Sequence, residues 1–218
     1  MKEVNGLIEP WLHVVTPDAV LPDEIVHIAC EIHDKVDVLH IRQKQWSARQ
    51  IWDVVERCRH AGVSMHKIIV NDRVDVAAAL HVRGVQLAYH SLPAHVIRTS
   101  FPQLAIGVSV HNPEEARSAA AAGADYMLFG HIYPTASKEG LAPRGITALR
   151  ACRDAVPYIP TIAIGGIKEE LVIEVIAAGA SGVAVMSAIW GADNPASSVQ
   201  RFRDALHAAV CARGKLSD

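Results

Sequence analysis

Apolar residues in this chain gather in short unbroken runs, and the stretches between the runs carry helical spacing. The runs predict eight strands: Leu12–Thr16, Val36–Arg42, Lys67–Asn71, Val85–Leu87, Leu104–Val110, Tyr126–Gly130, Thr161–Gly165 and Gly182–Ser187. Nearly continuous apolar character suits parallel strands that are covered on both faces. Between the runs, Ile51, Val54, Val55 and Cys58 recur at i, i+3, i+4 and i+7. Val199, Phe202, Leu206 and Val210 do much the same near the end of the chain. Each set gives a helix one apolar stripe.

Punctuation agrees with this alternation. Asn112-Pro113-Glu114-Glu115 supplies an N-cap, a proline at the first helical position and a glutamate in the first turn. Gly123 then ends that helix. Ala121-Ala122-Gly123-Ala124 precedes the sixth run, and Ala177-Ala178-Gly179-Ala180 precedes the eighth. The same helix-end, glycine, strand module therefore recurs, with a half-unit of roughly thirty residues. Alternating strands and helices imply parallel βα units. Eight such units predict α/β architecture, a closed (β/α)8 TIM barrel forming one domain over residues 1–218. An open doubly wound sheet is the rival, but no G-x-G-x-x-G follows the first strand.

Composition narrows the class. The chain has 218 residues, 50% hydrophobic and 20% charged, with a formal net charge of −2. That is an ordered globular composition, and lean for a barrel that typically needs about 250 residues. No long basic run points to nucleic acid. The four cysteines, Cys30, Cys58, Cys152 and Cys211, form no C-x-x-C pair and read as free thiols. The segment Met1 to Trp11 has no apolar core, so a signal peptide is not expected, and no run reaches the length of a membrane span. A cytoplasmic protein is the expectation.

Chemistry is sought at the carboxyl ends of the strands, where barrels of this kind build their sites. The sixth run ends in Phe129-Gly130-His131. An imidazole there can take and give a proton near neutral pH, which makes His131 the candidate acid/base. After strand two, alternation sets His40, Arg42 and Lys44 on one face, and the two cations suit an anion. Gly165-Gly166 after strand seven and Met186-Ser187 after strand eight occupy the places where such barrels hold phosphate with backbone N–H groups. The loop after strand six carries Thr135, Ser137 and Lys138, which could close over a ligand. Asn71 and Ser109 line the mouth. His60, His81 and His207 read as solvent-facing helix residues. No histidine or carboxylate cluster suggests a metal site.

Asn71-Asp72-Arg73-Val74-Asp75, Gly107-Val108-Ser109-Val110-His111, Phe129-Gly130, Pro134-Thr135 with Lys138, Ala163-Ile164-Gly165-Gly166-Ile167 and Gly182 to Ile189 resemble the thiamine phosphate synthase superfamily. The likeness runs from about Leu12 to Ile189. Three positions depart from the synthase pattern. Synthases usually carry glutamine at the place of His40 and proline at the place of His131. After strand four they carry an aspartate that helps hold magnesium, where this chain reads Leu87-Ala88-Tyr89-His90-Ser91.

These departures resemble the thiazole tautomerase branch, the TenI type. That resemblance implies an isomerase without metal or cofactor, which aromatises a carboxylated thiazole phosphate tautomer in thiamine biosynthesis. In it His131 would shuttle the proton, Gly165, Gly166, Met186 and Ser187 would hold the phosphate, and Thr135, Ser137 and Lys138 would contact the ligand. Arg42 and Lys44 would hold the carboxylate. The partner would be the small thiazole phosphate, with no nucleic acid or membrane, and a homo-oligomer is open. The alternatives are a true synthase, a transferase that couples a pyrimidine pyrophosphate to a thiazole phosphate with magnesium, and a non-catalytic ligand-binding regulator.

Overall fold

Parallel strands need a neighbour on each side, and the chain meets that need by closing on itself. The computed structural model describes residues 3–4 and 7–214; part of the segment from Met1 lies outside them. After a short antiparallel pair, Glu3–Val4 with Leu7–Ile8, the barrel strands are β1 (Trp11–Val15), β2 (Val38–Ile41), β3 (Ile68–Asn71), β4 (Gly84–Leu87), β5 (Ala105–Val110), β6 (Tyr126–Gly130), β7 (Thr161–Ile164) and β8 (Gly182–Val185). Each pairs in parallel with the next, and β8 pairs back onto β1, giving the expected closed barrel. Closure leaves no edge with unpaired backbone groups.

Seven helices follow the first seven strands: α1 (Pro22–Ile32), α2 (Ala48–His60), α3 (Val74–Ala79), α4 (Ala94–Ser100), α5 (Pro113–Ala121), α6 (Gly145–Ala155) and α7 (Val172–Ala177). After β8 come a short α8 (Ser187–Trp190) and the long α9 (Pro195–Gly214). Asn112 caps α5 by accepting from the Glu115 amide at 2.8 Å, as its sequence implies. Ser47 and Gln50 form a reciprocal capping box on α2. No helix among the described residues is long and apolar enough to cross a membrane. All four cysteines are free, with Cys58 and Cys152 buried. Strands β7 and β8 stop short of their predicted ends. Gly165 has left the sheet with φ +104°, and Ser187 opens α8.

Alternation along each strand sorts side chains into two layers. Leu12, Val14, Leu39, Ile41, Ile68, Val70, Val85 and Phe129 face outward and pack under the helices. Val15, Val38, Ile69, Leu128, Ile162 and Ala184 face the barrel axis. The interior is not the purely apolar filling that such barrels usually carry. His13, His40 and Gln86 are also buried there, with Tyr126.

These polar groups form a connected set. His13 Nδ1 lies 2.9 Å from His40 Nε2. The Tyr126 ring stands edge-on to His13, with centroids 5.6 Å apart. Its hydroxyl donates to Gln86 Oε1 at 2.7 Å, and Gln86 Nε2 donates to Ser109 Oγ at 3.1 Å. Trp11 stacks beside His13 at 5.8 Å, and the Arg83 guanidinium sits 5.3 Å from the Trp11 ring.

Burial decides the charge of the two imidazoles. It drives the His40 pKa down to about 4, against a smaller upward pull from Asn71. His13 is pushed well below its ordinary value, first by burial and then by His40 and the nearby Arg83. Both rings are therefore neutral at pH 7.

Gly107 makes the arrangement possible. A Cβ there would overlap the Tyr126 ring and Gln86 Oε1. Gly107→Ala should cost about 2 kcal/mol, as overpacking of a filled core does, read as a lower urea midpoint. An unchanged midpoint would mean that Tyr126 can move aside freely.

The histidine pair sets a pH dependence. Unfolded histidines bind protons below about pH 6.5, whereas His40 in the folded protein refuses one until about 4. Falling pH therefore favours the unfolded chain, and stability is lost as pH drops from about 6.5 to about 4. The loss is of the order of 3 kcal/mol for His40 alone. His40→Gln should flatten the fall of the urea midpoint between pH 7 and 4.5. A wild-type midpoint that stays level over that range would refute the assignment.

Candidate active site

The carboxyl ends of the strands open on one mouth, where barrels of this kind build their sites. At the end of β2, Thr16 Oγ1 accepts from the Arg42 amide at 2.8 Å and so holds the chain as it leaves the sheet. The Arg42 guanidinium meets Asp18 at 3.0 Å, and Lys44 Nζ meets the same carboxylate at 3.5 Å. Two cations thus share one anion at a half-exposed rim. His40, on the same strand, instead turns into the barrel, fully buried against His13.

At the ends of β7 and β8 stand the two segments read as a phosphate site. Gly165 and Gly166 have φ of +104° and +67°, a backbone that L side chains resist. Each also has a packing reason to be glycine. A Cβ on Gly165 would run into the His131 backbone, and one on Gly166 would strike Tyr133 and the Pro134 carbonyl. The segment after β6 continues alongside them, with Ile132 N donating to Ile164 O and Tyr133 N to Gly165 O, both at 3.0 Å. The glycine pair therefore seats that loop as well as shaping the turn. Met186 caps α8, its carbonyl accepting from the Ile189 and Trp190 amides at 2.9 and 3.1 Å. The first amides of that helix, beginning at Ser187, have no acceptor within the helix and suit an anion.

His131 lies at the mouth but under cover, 8% exposed. Its Nε2 is 3.2 Å from the Leu141 carbonyl, which can only accept, so Nε2 carries a hydrogen. Arg144 holds this cover down. Its amide donates to the His131 carbonyl at 2.9 Å, and its guanidinium bonds the carbonyls of Gly130 at 3.1 Å and His111 at 3.3 Å. Within the loop, Thr135 Oγ1 accepts from the Ser137 amide at 3.4 Å, while Ser137 and Lys138 are exposed.

Asn71 and Ser109 complete the inner wall. Ser109 is tied to Gln86, and Asn71 Oδ1 is buried without a hydrogen-bond partner. The next residue, Asp72, takes φ +65° and is held there by its amide's bond to the Gln86 carbonyl at 2.9 Å.

A magnesium ion is what the synthase resemblance implies at this corner, and the donors present do not fit one. Asp72 Oδ2 stands 3.8 Å from His90 Nε2, so the pair offers one carboxylate and one imidazole where magnesium takes oxygen ligands. Tyr89, next to His90, is 97% exposed, and the two rings meet in a T-shaped contact with centroids 5.0 Å apart. No group of three or more His, Cys, Asp or Glu side chains converges among the described residues.

Four residues of this region carried no signal that singled them out in sequence. His13, Gln86 and Tyr126 sit at inward strand positions, where alternation could have found them. Arg144 acts through backbone carbonyls far along the chain, which no local pattern marks.

Comparison with known proteins gives a consistent outcome. Residues 12–189 match the family described as thiamine monophosphate synthase. A thiamine-phosphate synthase from Natronomonas pharaonis is 40% identical over 191 residues, covering 84% of this chain and 86% of the relative. One from Pyrococcus abyssi is 35% identical over 193 residues, covering 88% and 92%. The solved thiamine phosphate pyrophosphorylase from Pyrococcus furiosus superposes with a TM-score of 0.78 at 29% identity, covering 92% of this chain and 97% of the other. These relatives overturn the expectation of an isomerase of the tautomerase branch, since they carry the name of a synthase, a transferase. The three departures at His40, His131 and the Leu87–Ser91 segment stand within a likeness that spans most of the chain. With the closed barrel and the matched residues together, the chain belongs to the thiamine monophosphate synthase family.

Proposed function

We propose that this protein is a transferase of the thiamine phosphate synthase type, joining a pyrimidine carried on a pyrophosphate to a thiazole phosphate. The thiazole nitrogen attacks the exocyclic methylene carbon of the pyrimidine, the bond from that carbon to the pyrophosphate oxygen breaks, and pyrophosphate leaves with the electron pair. The observation that carries this reading is the presence of two separate places for anions at one mouth. Arg42 and Lys44 stand at the end of β2. The Gly165-Gly166 turn and the start of α8 stand at the ends of β7 and β8. Strand β1 lies between these two places in the closed order. An enzyme that aligns two phosphate-bearing substrates needs both, and holding them at one mouth converts an encounter between two molecules into a local one.

Roles follow from position. Arg42 and Lys44 hold the pyrophosphate and offset the charge that grows on it as it departs. The amides of Gly166 and Ser187 hold the thiazole phosphate, beside Gly165 and Met186. Thr135, Ser137 and Lys138 lie in the loop that covers the thiazole side, and Asn71 and Ser109 line the pyrimidine side. His131 has no proton to move in this reaction. It acts as a positioning residue, holding the loop through Leu141.

The direct test supplies both substrates and measures thiamine phosphate, with and without added divalent cation. Product should form. Arg42→Met should raise KM for the pyrophosphate substrate about tenfold, the worth of one charge-assisted hydrogen bond, and leave KM for thiazole phosphate nearly unchanged. Absence of product at saturating substrates would refute the transferase reading. Equal effects of Arg42→Met on both substrates would refute the assignment of the two places.

A further inference from the structure

Gln86 links the barrel interior to the mouth, and the direction of each of its hydrogen bonds can be fixed. Its Nε2 stands 3.3 Å from the Leu87 carbonyl and 3.1 Å from Ser109 Oγ, and its Oε1 stands 2.7 Å from the Tyr126 hydroxyl. A backbone carbonyl only accepts, so the end of the amide beside Leu87 is the NH2 end. The oxygen end therefore faces Tyr126. That phenol is buried, and burial pushes its pKa well above the ordinary value, so it keeps its hydrogen and donates. The reversed amide would set its oxygen against the Leu87 carbonyl, two acceptors face to face at low dielectric.

Ser109 ends this chain of bonds. Its Oγ accepts from Gln86 Nε2. A serine hydroxyl has one hydrogen and two lone pairs, and among the described residues no side chain or carbonyl takes the hydrogen. Gln86 is buried and Ser109 is half-buried, so the Ser109 hydroxyl is where this chain of bonds meets the mouth.

We infer that Gln86 is a positioning residue: locked between Tyr126 and the Leu87 carbonyl, it gives a hydrogen to Ser109 and so presents the Ser109 hydroxyl to the mouth as a donor. The site then selects a ligand with a hydrogen-bond acceptor at that point. Taken with the transferase reading, the acceptor is a ring nitrogen of the pyrimidine. Arg42 and Lys44 stand at the end of β2, where the pyrophosphate is held, and Ser109 stands on β5, three strands further round, where the ring lies. A C–H in place of that nitrogen has no lone pair to offer the hydroxyl. Only the choice of ligand rests on the transferase reading; the polarity of the Gln86–Ser109 bond does not.

The experiment has two arms. The first is ligand-free and follows the side-chain amide protons of Gln86 in a 1H–15N spectrum. Ser109→Ala deletes one acceptor, and one Gln86 Nε2 proton should move upfield. If neither proton moves, the inference is overturned. The second measures, by calorimetry, the binding of the pyrimidine pyrophosphate and of two analogues, each with one ring nitrogen replaced by C–H. In the wild type one analogue should bind about tenfold more weakly than the parent, the worth of one hydrogen bond. Ser109→Ala should bind the parent and that analogue alike. Gln86→Met keeps the serine but not its orientation, so the preference should shrink, while inorganic pyrophosphate binds as in the wild type. A preference that Gln86→Met leaves intact overturns the inference. Parent and both analogues bound equally by the wild type overturn it too, and leave the transferase reading standing. No binding of the parent at all overturns the transferase reading and, with it, the ligand assigned here. Should Gln86→Met fail to fold, the Ser109→Ala spectrum and the wild-type preference still decide.

Discussion

One hydrogen held between two imidazoles organises the interior of this barrel. The His13–His40 contact joins the neighbouring strands β1 and β2 inside the barrel, and Tyr126 and Gln86 carry the polar set on to Ser109 on β5. Burial makes such a set demanding. Each donor must find its acceptor, because no water is there to correct a mistake. Gly107 is the space that lets the Tyr126 hydroxyl reach Gln86. Three of these residues, His40, Gln86 and Ser109, stand on strands whose ends form the mouth. A disturbance of the interior therefore reaches the site without any change in the site's own residues.

The loop after β6 shows a second kind of dependence. Its backbone runs beside Gly165 and Gly166, and Arg144 ties it to the carbonyls of Gly130, His131 and His111. The glycines that suit a phosphate are also the floor on which this loop rests. Substituting them would disturb the turn and the loop together.

Much of the architecture was legible in the chain. The apolar runs located all eight strands, and Asn112 and Pro113 marked the start of α5. What escaped had physical reasons. Alternation places His13 and Tyr126 inside the barrel, but which inward side chains meet depends on the stagger of the strands, and that is not written in any single strand. Arg144 acts on distant carbonyls, and Asp18 pairs with cations beyond β1. The error over reaction class had a similar source. In the chain alone, His131 stands as an isolated sign of proton transfer. In the fold, His40 is spoken for by His13, and His131 gives its Nε2 hydrogen to Leu141.

The shared carboxylate of Asp18 has a consequence of its own. Because Arg42 and Lys44 already lean on it, the rim is partly self-neutralised, and an anion arriving there would exchange partners instead of filling an unmet need. Small monovalent anions gain little from such an exchange. A polyvalent ligand can engage both cations at once and outcompete a single carboxylate. If these cations hold the pyrophosphate as proposed, Asp18 is an internal competitor that sorts ligands by valence.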